Sequence, residues 1–261
     1  DLNTGKLKWK KKHTNSFNSQ IKVKNKNIFL VDTDDNLICL STIDGSLIWN
    51  FKTESSLIKT TKKLSIVISE KYVAFVNSRG TLTKLNLDTG YLKWQTPTQN
   101  ILIYNETNFL KTSELVHSNN ELFLSNNKNE FYSIDFKTGV INWKQKINSS
   151  IRPIVIDNLL LTINDDGYLI AIDTSSGNII RATYLLDKFN KRKKEKILFV
   201  GFVVASKKAY ITTNLGYILI CPISNGKVDK IFRLGNSKLS QPFVVNNKLY
   251  IIKDNSISIL N

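Results

Sequence analysis

The chain has 261 residues, with 37 Lys and Arg against 21 Asp and Glu, and a formal net charge of +16. Hydrophobic residues make up 41% and charged residues 22%, which is typical of a folded globular protein and excludes a disordered or collagen-like chain. The charge suggests a polyanionic partner, but Lys, Asn and Ile are abundant together. AT-rich codon usage is therefore a competing explanation of the charge.

Several classes of function are excluded by what the sequence lacks. The longest uncharged apolar run, at about 197–206, has roughly half the length of a membrane-spanning helix. Cys39 and Cys221 are too few for a disulfide scaffold or a four-ligand zinc site, and we predict that both are buried thiols. His13 and His117 have no partner at a metal-ligand spacing. The sequence therefore predicts no catalytic residue and no metal ligand.

A repeated motif organises the chain. In the clearest copies an Asp or Asn is followed four residues later by Gly and eight residues later by Trp. A looser copy begins with Ser41, and the two weakest copies, one of which begins with Pro222, have Arg181 and Lys230 at the Trp position. The copies span 1–9, 41–49, 86–94, 135–143, 173–181 and 222–230, and the motif residues are Gly5, Trp9, Gly45, Trp49, Gly90, Trp94, Asp135, Gly139, Trp143, Asp173, Gly177 and Gly226.

The segments between the motifs are predicted to be β-strands. They are short, rich in β-branched and aromatic residues, and separated by turn signals, and none shows a 3.6-residue apolar period. In chain order the predicted strands lie at 27–32, 37–40 and 46–49, then at 71–76 and 81–87, 121–125 and 130–134, 159–163 and 168–172, 209–213 and 217–221, and finally at 241–245, 249–252 and 256–261.

The spacing of the motif predicts the fold. Its glycines are 40, 45, 49, 38 and 49 residues apart, close to the roughly 40–45 residues of a four-stranded propeller blade. We predict an all-β protein, a single β-propeller domain over 1–261 with about six antiparallel four-stranded blades, either complete or part of a seven- or eight-bladed ring. The predicted blades are 13–54, 55–98, 99–148, 149–187, 197–235, and 236–261 with 1–12 as the closing strand.

Each motif residue has a predicted mechanical role. Gly supplies the positive φ of a tight turn between the third and fourth strands of a blade. The Asp or Asn four residues earlier accepts hydrogen bonds from N–H groups of that turn. The Trp lies on the outer strand, where its ring can cover the seam between neighbouring blades.

The motif carries a family resemblance. The segment 133–143 resembles the tryptophan-docking repeat of pyrroloquinoline-quinone-type β-propellers, and the chain as a whole most resembles the BamB-like outer-membrane assembly lipoproteins, whose propellers have eight blades. That resemblance implies a non-catalytic periplasmic scaffold without a cofactor. Its partner would be a protein, the outer-membrane barrel assembly machinery, and an N-terminal lipid anchor preceding this chain would tether it to the membrane.

Two alternatives remain open at this stage. Quinoprotein dehydrogenases share the repeat, and a resemblance to them would imply a quinone cofactor with Ca²⁺. Those enzymes are longer, and many cover the cofactor with adjacent cysteines, whereas Cys39 and Cys221 are single and far apart in sequence. The other alternative is a propeller of the same repeat class with a different protein ligand.

The strongest local charge lies in one connection between predicted blades. It is interpreted either as a solvated loop or as a contact for an acidic partner or anionic lipid headgroups. It lacks the interleaved aromatic residues of a nucleic-acid surface, so no nucleic-acid partner is expected. We call the following cations the basic surface: Lys188, Lys191, Arg192, Lys193, Lys194 and Lys196.

Two acidic segments invite a calcium interpretation. Residues 164–167 and 32–36 each combine carboxylates with a turn residue, but neither has the alternating ligands of a dedicated calcium loop. Because both fall between the second and third predicted strands of a blade, we predict tight turns there.

Overall fold

A computed structural model describes Asp1 and residues 3–54, 63–99 and 110–260. Within these residues the chain forms six β-sheets and one four-residue helix. Strands that follow one another in sequence are neighbours in each sheet, and the connections between them are short. This is the size and connectivity of a propeller blade, repeated along the chain.

The first three sheets have four strands each. The strands are, in the first sheet, β1 (Lys22–Lys24), β2 (Asn27–Val31), β3 (Leu37–Ser41) and β4 (Leu47–Phe51); in the second, β5 (Ile66–Ile68), β6 (Tyr72–Val76), β7 (Thr81–Asn86) and β8 (Leu92–Pro97); and in the third, β9 (Val116–Ser118), β10 (Glu121–Asn126), β11 (Glu130–Asp135) and β12 (Ile141–Gln145).

The remaining sheets follow the same order, with the helix α1 (Lys191–Lys194) between β16 and β17. The strands are, in the fourth sheet, β13 (Ile154–Ile156), β14 (Leu159–Ile163), β15 (Tyr168–Asp173) and β16 (Ile179–Tyr184); in the fifth, β17 (Phe199–Ala205), β18 (Lys208–Thr213), β19 (Tyr217–Pro222) and β20 (Lys230–Arg233); and in the sixth, β21 (Phe243–Val245), β22 (Lys248–Lys253) and β23 (Ser256–Leu260).

Burial differs between the inner and outer strands of a sheet. In the first five sheets the second and third strands are largely buried on both faces, as in β6 and β7, whereas β22 and β23 of the sixth sheet are partly exposed. The fourth strand alternates between exposed and half-buried residues, as in β8. The motif tryptophans of β4, β8 and β12 stand at half-buried positions of this alternation.

Two-residue turns join the first and second strands of several sheets. Their central residues both have positive φ, the conformation of the hairpin turns that match strand twist. Asn and Asp adopt this conformation more readily than most other residues that have a Cβ. The turn residues are Asn25 and Lys26 (φ 51° and 64°), Asn119 and Asn120 (47° and 64°), Ser206 and Lys207 (47° and 59°), and Asn246 and Asn247 (48° and 60°).

The chain divides into two compact units, each with its own core. One comprises Asp1–Lys128 and Ile134–Asn142, and its first two sheets share a fully buried cluster that includes Phe29 and Phe75. The other comprises Asn129–Ser133 and Trp143–Asn261. Its fourth and fifth sheets share a cluster that includes Leu161, Phe202 and Leu219.

The sixth sheet has three strands, and no strand is assigned to residues 3–12. The pairing of 1–12 with this sheet as a closing strand stays a prediction, as do the blade boundaries. The strands of the six sheets fall within 22–51, 66–97, 116–145, 154–184, 199–233 and 243–260.

Candidate functional site

The glycine of each motif closes a tight turn. In the second sheet, Asn86 Oδ1 accepts hydrogen bonds from the N–H groups of Asp88 and Thr89 at 3.0 and 2.9 Å, and from the Thr89 hydroxyl. The amide of Gly90 then donates to the carbonyl of Asn86 at 3.0 Å. All six motif glycines have the positive φ expected from the sequence, between 66° and 79°.

The same turn lowers the pKa of the motif carboxylates. The pKa of Asp173 falls to about 2 because the Ser175 hydroxyl and the Ser176 amide and hydroxyl donate to its ionised form. Thr138 acts in the same direction on Asp135 through its hydroxyl and amide. These carboxylates are therefore ionised parts of a turn and are not poised for acid–base chemistry.

Each motif tryptophan docks on the turn of the following repeat. The ring of Trp94 covers Gly139 so closely that a Cβ on this glycine would lie 2.6 Å from Trp94 Cδ2. The indole N–H always donates to the carbonyl three residues before the covered glycine. The four bonds are Trp9 to Thr42 at 2.8 Å, Trp49 to Leu87 at 3.2 Å, Trp94 to Phe136 at 3.1 Å and Trp143 to Thr174 at 2.6 Å.

Arg181 makes the equivalent dock without an indole ring. Its Nη2 donates to the Ile223 carbonyl at 2.6 Å, and Nη1 donates to the Ser224 carbonyl. Ile223 precedes Gly226 by three residues, so the acceptor is the one that a tryptophan would use. The sequence showed Arg181 at the Trp position but did not reveal that the guanidinium preserves the dock.

Replacing Arg181 by Met is expected to lower the free energy of unfolding by about 2 kcal/mol, because two carbonyls lose a charged donor. Replacing it by Trp is expected to keep stability within about 1 kcal/mol of the unsubstituted protein, since an indole N–H reaches the same acceptor in the other repeats. Urea unfolding of both variants measures the difference. A methionine variant as stable as the unsubstituted protein would show that Arg181 does not act as a dock.

Pockets open beside two of these docks at equivalent positions of the repeat. Beside Arg181, a cavity of about 550 Å³ is lined by Leu159, Ala171, Ile180 and Ile223 among others. Beside Trp94, a cavity of about 530 Å³ is lined by residues at the same repeat positions, Tyr72, Lys84, Lys93 and Phe136, and by further polar groups. At these four positions the first pocket has aliphatic residues, whereas the second has two aromatic rings and the ammonium groups of Lys84 and Lys93; Arg181, Lys207 and Lys208 line the first pocket elsewhere.

The basic surface is built around the short helix α1. Asn190 caps α1 by accepting a hydrogen bond from the Lys193 amide at 3.0 Å. Phe189 and Ile197, on either side of the helix, are buried in the core of the fourth and fifth sheets. The cations are thus held outward by two hydrophobic anchors, which the sequence pattern did not indicate.

Aromatic rings lie under two of the cations of the basic surface. Lys193 Nζ is 5.8 Å from the centroid of Tyr217, and Lys194 Nζ is 5.3 Å from that of Tyr184. Lys188 Nζ donates to the Asp229 carbonyl at 3.1 Å. Among the described residues, no carboxylate forms an ion pair with any of the six cations. Their charge is therefore available to an acidic partner.

The remaining residues considered in the sequence have structural roles. Cys39 and Cys221 are fully buried, as predicted, and burial is the main cause that raises the pKa of each thiol to about 12. His117 packs its ring 4.2 Å from that of Phe136, and burial and then Lys84 lower the pKa of its imidazole. His13 packs edge-on against Phe17.

Both acidic segments form turns, as predicted. Asp32 Oδ1 accepts from the Asp34 and Asn36 amides, each at 2.9 Å. In the second segment, Asn164 Oδ1 accepts from the Tyr168 amide at 2.8 Å. Over the described ranges, no group of three or more His, Cys, Asp or Glu side chains could hold a metal ion. No helix in the described part of the chain is long and apolar enough to cross a membrane.

The repeated sheets and their docked aromatic residues define the class as a tryptophan-docked β-propeller repeat protein. The family model for "Outer membrane protein assembly factor BamB" matches residues 1–183, so the chain belongs to that family. The crystal structure of BamB from Moraxella catarrhalis superposes with a TM-score of 0.83, over 99% of this chain and 76% of that one, at 14% identity. This superposition confirms the predicted all-β propeller fold.

Curated relatives match at low identity. An uncharacterized protein of Rickettsia prowazekii (strain Madrid E) is 22% identical over 185 residues, which is 69% of this chain and 45% of that protein. Outer membrane protein assembly factor BamB of Legionella pneumophila (strain Paris) is 23% identical over 195 residues, 71% of this chain and 46% of that protein. The matched regions thus span less than half the length of these relatives.

Proposed function

We propose that this chain is a non-catalytic, protein-binding scaffold of the periplasm that assists the assembly and insertion of outer-membrane β-barrel proteins. The observation that carries the proposal is the match of the assembly-factor family over residues 1–183. The proposal assigns no reaction to the chain and requires neither a quinone nor Ca²⁺. Its partner is a periplasmic part of the barrel assembly machinery.

The structure offers such a partner a charged contact on a packed support. Within the unit that carries the basic surface, the Arg181 dock and a shared core join the fourth and fifth sheets, and the connection between these two sheets projects from them. The basic surface lies on this connection, anchored by Phe189 and Ile197 and without ion pairs to described residues. Exposed charges of this kind accelerate association with an oppositely charged surface and make it sensitive to salt. We therefore assign the acidic-partner contact to the basic surface.

A binding experiment with the periplasmic domains of the barrel-forming subunit tests the proposal. The unsubstituted chain is expected to retain these domains at low salt. Changing Lys191, Arg192 and Lys196 together to Gln is expected to weaken binding at least about tenfold and to flatten its salt dependence, because three outward charges are lost. Biolayer interferometry at several salt concentrations measures both effects.

A matched variant separates local charge from total charge. Lys6, Lys10 and Lys12 are also exposed, and changing all three to Gln removes the same net charge. This variant is expected to bind like the unsubstituted chain. Failure of the unsubstituted chain to bind would overturn the scaffold proposal, whereas equal weakening by both variants would overturn the assignment of the contact to the basic surface alone.

A further inference from the structure

Lys84 departs from the pattern of its repeat. It lies on β7 opposite Trp94, six residues before the motif glycine. The equivalent residues of other copies are uncharged: Cys39 opposite Trp49, Ala171 opposite Arg181, Ile220 opposite Lys230, and Ser133 by the same spacing from Gly139. A charged side chain at a position that is otherwise uncharged breaks a local rule, and such breaks are concentrated at functional sites.

The ammonium group of Lys84 is buried, and it forms no ion pair with a described carboxylate. The residue is 3% exposed, and its Nζ donates to the Phe136 carbonyl at 2.7 Å. The same atom lies 4.0 and 4.1 Å from the ring centroids of Tyr72 and Phe136. Within the described residues, no carboxylate is within the 4.0 Å of an ion pair. Burial lowers the pKa of the ammonium group, and the more distant carboxylate of Asp135 opposes that shift. One carbonyl and two ring faces thus compensate the charge only in part.

Further cations surround the pocket that Lys84 lines. Lys71, Lys93 and Lys137 are exposed and line the same cavity of about 530 Å³, and Glu70 is the single acidic lining residue. The amide side chain of Asn120 adds a neutral hydrogen-bonding group. The pocket therefore combines one buried ammonium group with three exposed ones and is open to solvent on the side of the exposed lysines.

The pocket beside Arg181 is the equivalent site of another repeat, and it has no lysine at the position of Lys84. Ala171 and Ile180 stand there at the positions of Lys84 and Lys93, and Ile223 at that of Phe136. Both pockets have the same location in the repeat and nearly the same volume. Arg181, Lys207 and Lys208 also line the pocket beside Arg181, so what sets the Lys84 pocket apart is its buried ammonium group and not the presence of exposed cations.

We propose that the Lys84 pocket binds an oxyanion, the carboxylate or phosphate group of a ligand. An oxyanion in the pocket places a counter-charge in direct contact with Lys84 and accepts charge-assisted hydrogen bonds from it. The exposed lysines add attraction from solvent, and the aromatic walls keep the site partly desolvated, which strengthens the interaction. The site shares no residue with the basic surface, and its occupancy does not depend on the scaffold function.

Titration of the folded chain with inorganic phosphate and with acetate, followed by amide chemical shifts, tests the proposal. At least one anion is expected to bind saturably, with shifts concentrated at Tyr72, Lys84, Asn120 and Lys137. Lys84→Met keeps the length and packing of the aliphatic stem and is expected to weaken binding at least about tenfold. Preference for phosphate over acetate indicates a phosphorylated ligand, and the reverse preference indicates a carboxylate ligand.

Lys208→Met is the matched control, because Lys208 is exposed and lines the equivalent pocket beside Arg181. It is expected to bind the anion as the unsubstituted chain does. Absence of saturable binding of both anions, or undiminished binding by Lys84→Met, would overturn the proposal. If Lys84→Met does not fold, the position of the shifts in the unsubstituted chain decides, and shifts outside the pocket would overturn it.

Discussion

Replacing Gly139 by Ala is expected to lower the free energy of unfolding by about 3–4 kcal/mol, one of the largest effects of any single methyl group in the chain. Two costs add at this position. Gly139 has a φ of 79°, which L-residues adopt with strain, and the added Cβ would lie 2.6 Å from Cδ2 and 2.8 Å from Cε3 of Trp94. Because that ring is held by its bond to the Phe136 carbonyl, it cannot move away without losing the dock. Urea unfolding followed by far-UV circular dichroism measures the change.

Gly5 provides the control for the backbone cost alone. It has a φ of 66° in the same motif turn, and a Cβ added there has nothing within 4 Å. Gly5→Ala is therefore expected to cost about 1 kcal/mol, the strain of one left-handed residue. In a Trp94→Ala background, the cost of Gly139→Ala is expected to fall to the same value, because the obstructing ring is gone. Equal costs for Gly5→Ala and Gly139→Ala in the unsubstituted background would show that the ring does not limit the turn.

The local part of this arrangement was predictable from sequence. An Asp or Asn four residues before Gly specifies a turn through hydrogen bonds formed within five residues. The turn between Asn86 and Gly90 could therefore be predicted without knowing any residue that is distant in sequence. Likewise, the period of the motif reports the size of a sheet, because four short strands and their turns require a nearly constant length of chain. The predicted strands of the inner positions consequently agree with β2, β3, β6 and β7.

The partners across each seam were not predictable in this way. The Trp49 indole donates to the Leu87 carbonyl, which lies 38 residues away in sequence. Because every residue has a backbone carbonyl, the residue type at position 87 does not identify it as the acceptor. Arg181 and Lys84 were visible only as departures from the motif. At Arg181 the indole ring is lost, but the hydrogen bond to the Ile223 carbonyl is kept. The spacing of the motif does not show which interactions such a departure keeps, because that depends on the three-dimensional arrangement of the side chain and its acceptor.

The abundance of Asn also has a structural use. Asn25, Asn119, Asn120, Asn246 and Asn247 all occupy left-handed turn positions, where an Asn tolerates the backbone better than most residues with a Cβ. Codon bias and turn geometry are therefore compatible explanations of one composition. The role of a Lys residue likewise depends on its position in the fold. Lys84 is buried and has no ion pair with a described carboxylate, whereas the cations of the basic surface are mostly exposed.

Replacing Trp49 by Ala is expected to lower the free energy of unfolding by about 3 kcal/mol, the lower end of the range for buried Trp because this ring is half-exposed. The ring packs against the core of the first two sheets, with its centroid 5.9 Å from that of Phe29, and covers Gly90, where an added Cβ would lie 2.7 Å from it. Its loss leaves a cavity at the seam and removes the donor to the Leu87 carbonyl. Urea unfolding of the variant measures the cost.

Trp49→Phe separates the ring from the hydrogen bond. It keeps most of the apolar contact but has no N–H, so its expected cost is about 1–2 kcal/mol, the value of one hydrogen bond plus a small packing loss. Tyr91→Ala is the control, since Tyr91 follows the same glycine but is 73% exposed, and its loss is expected to change stability by about 0.5 kcal/mol or less. If Trp49→Ala were no more damaging than Tyr91→Ala, the seam would be held by the sheets' buried aliphatic residues, and the repeated tryptophan would not be what joins one sheet to the next.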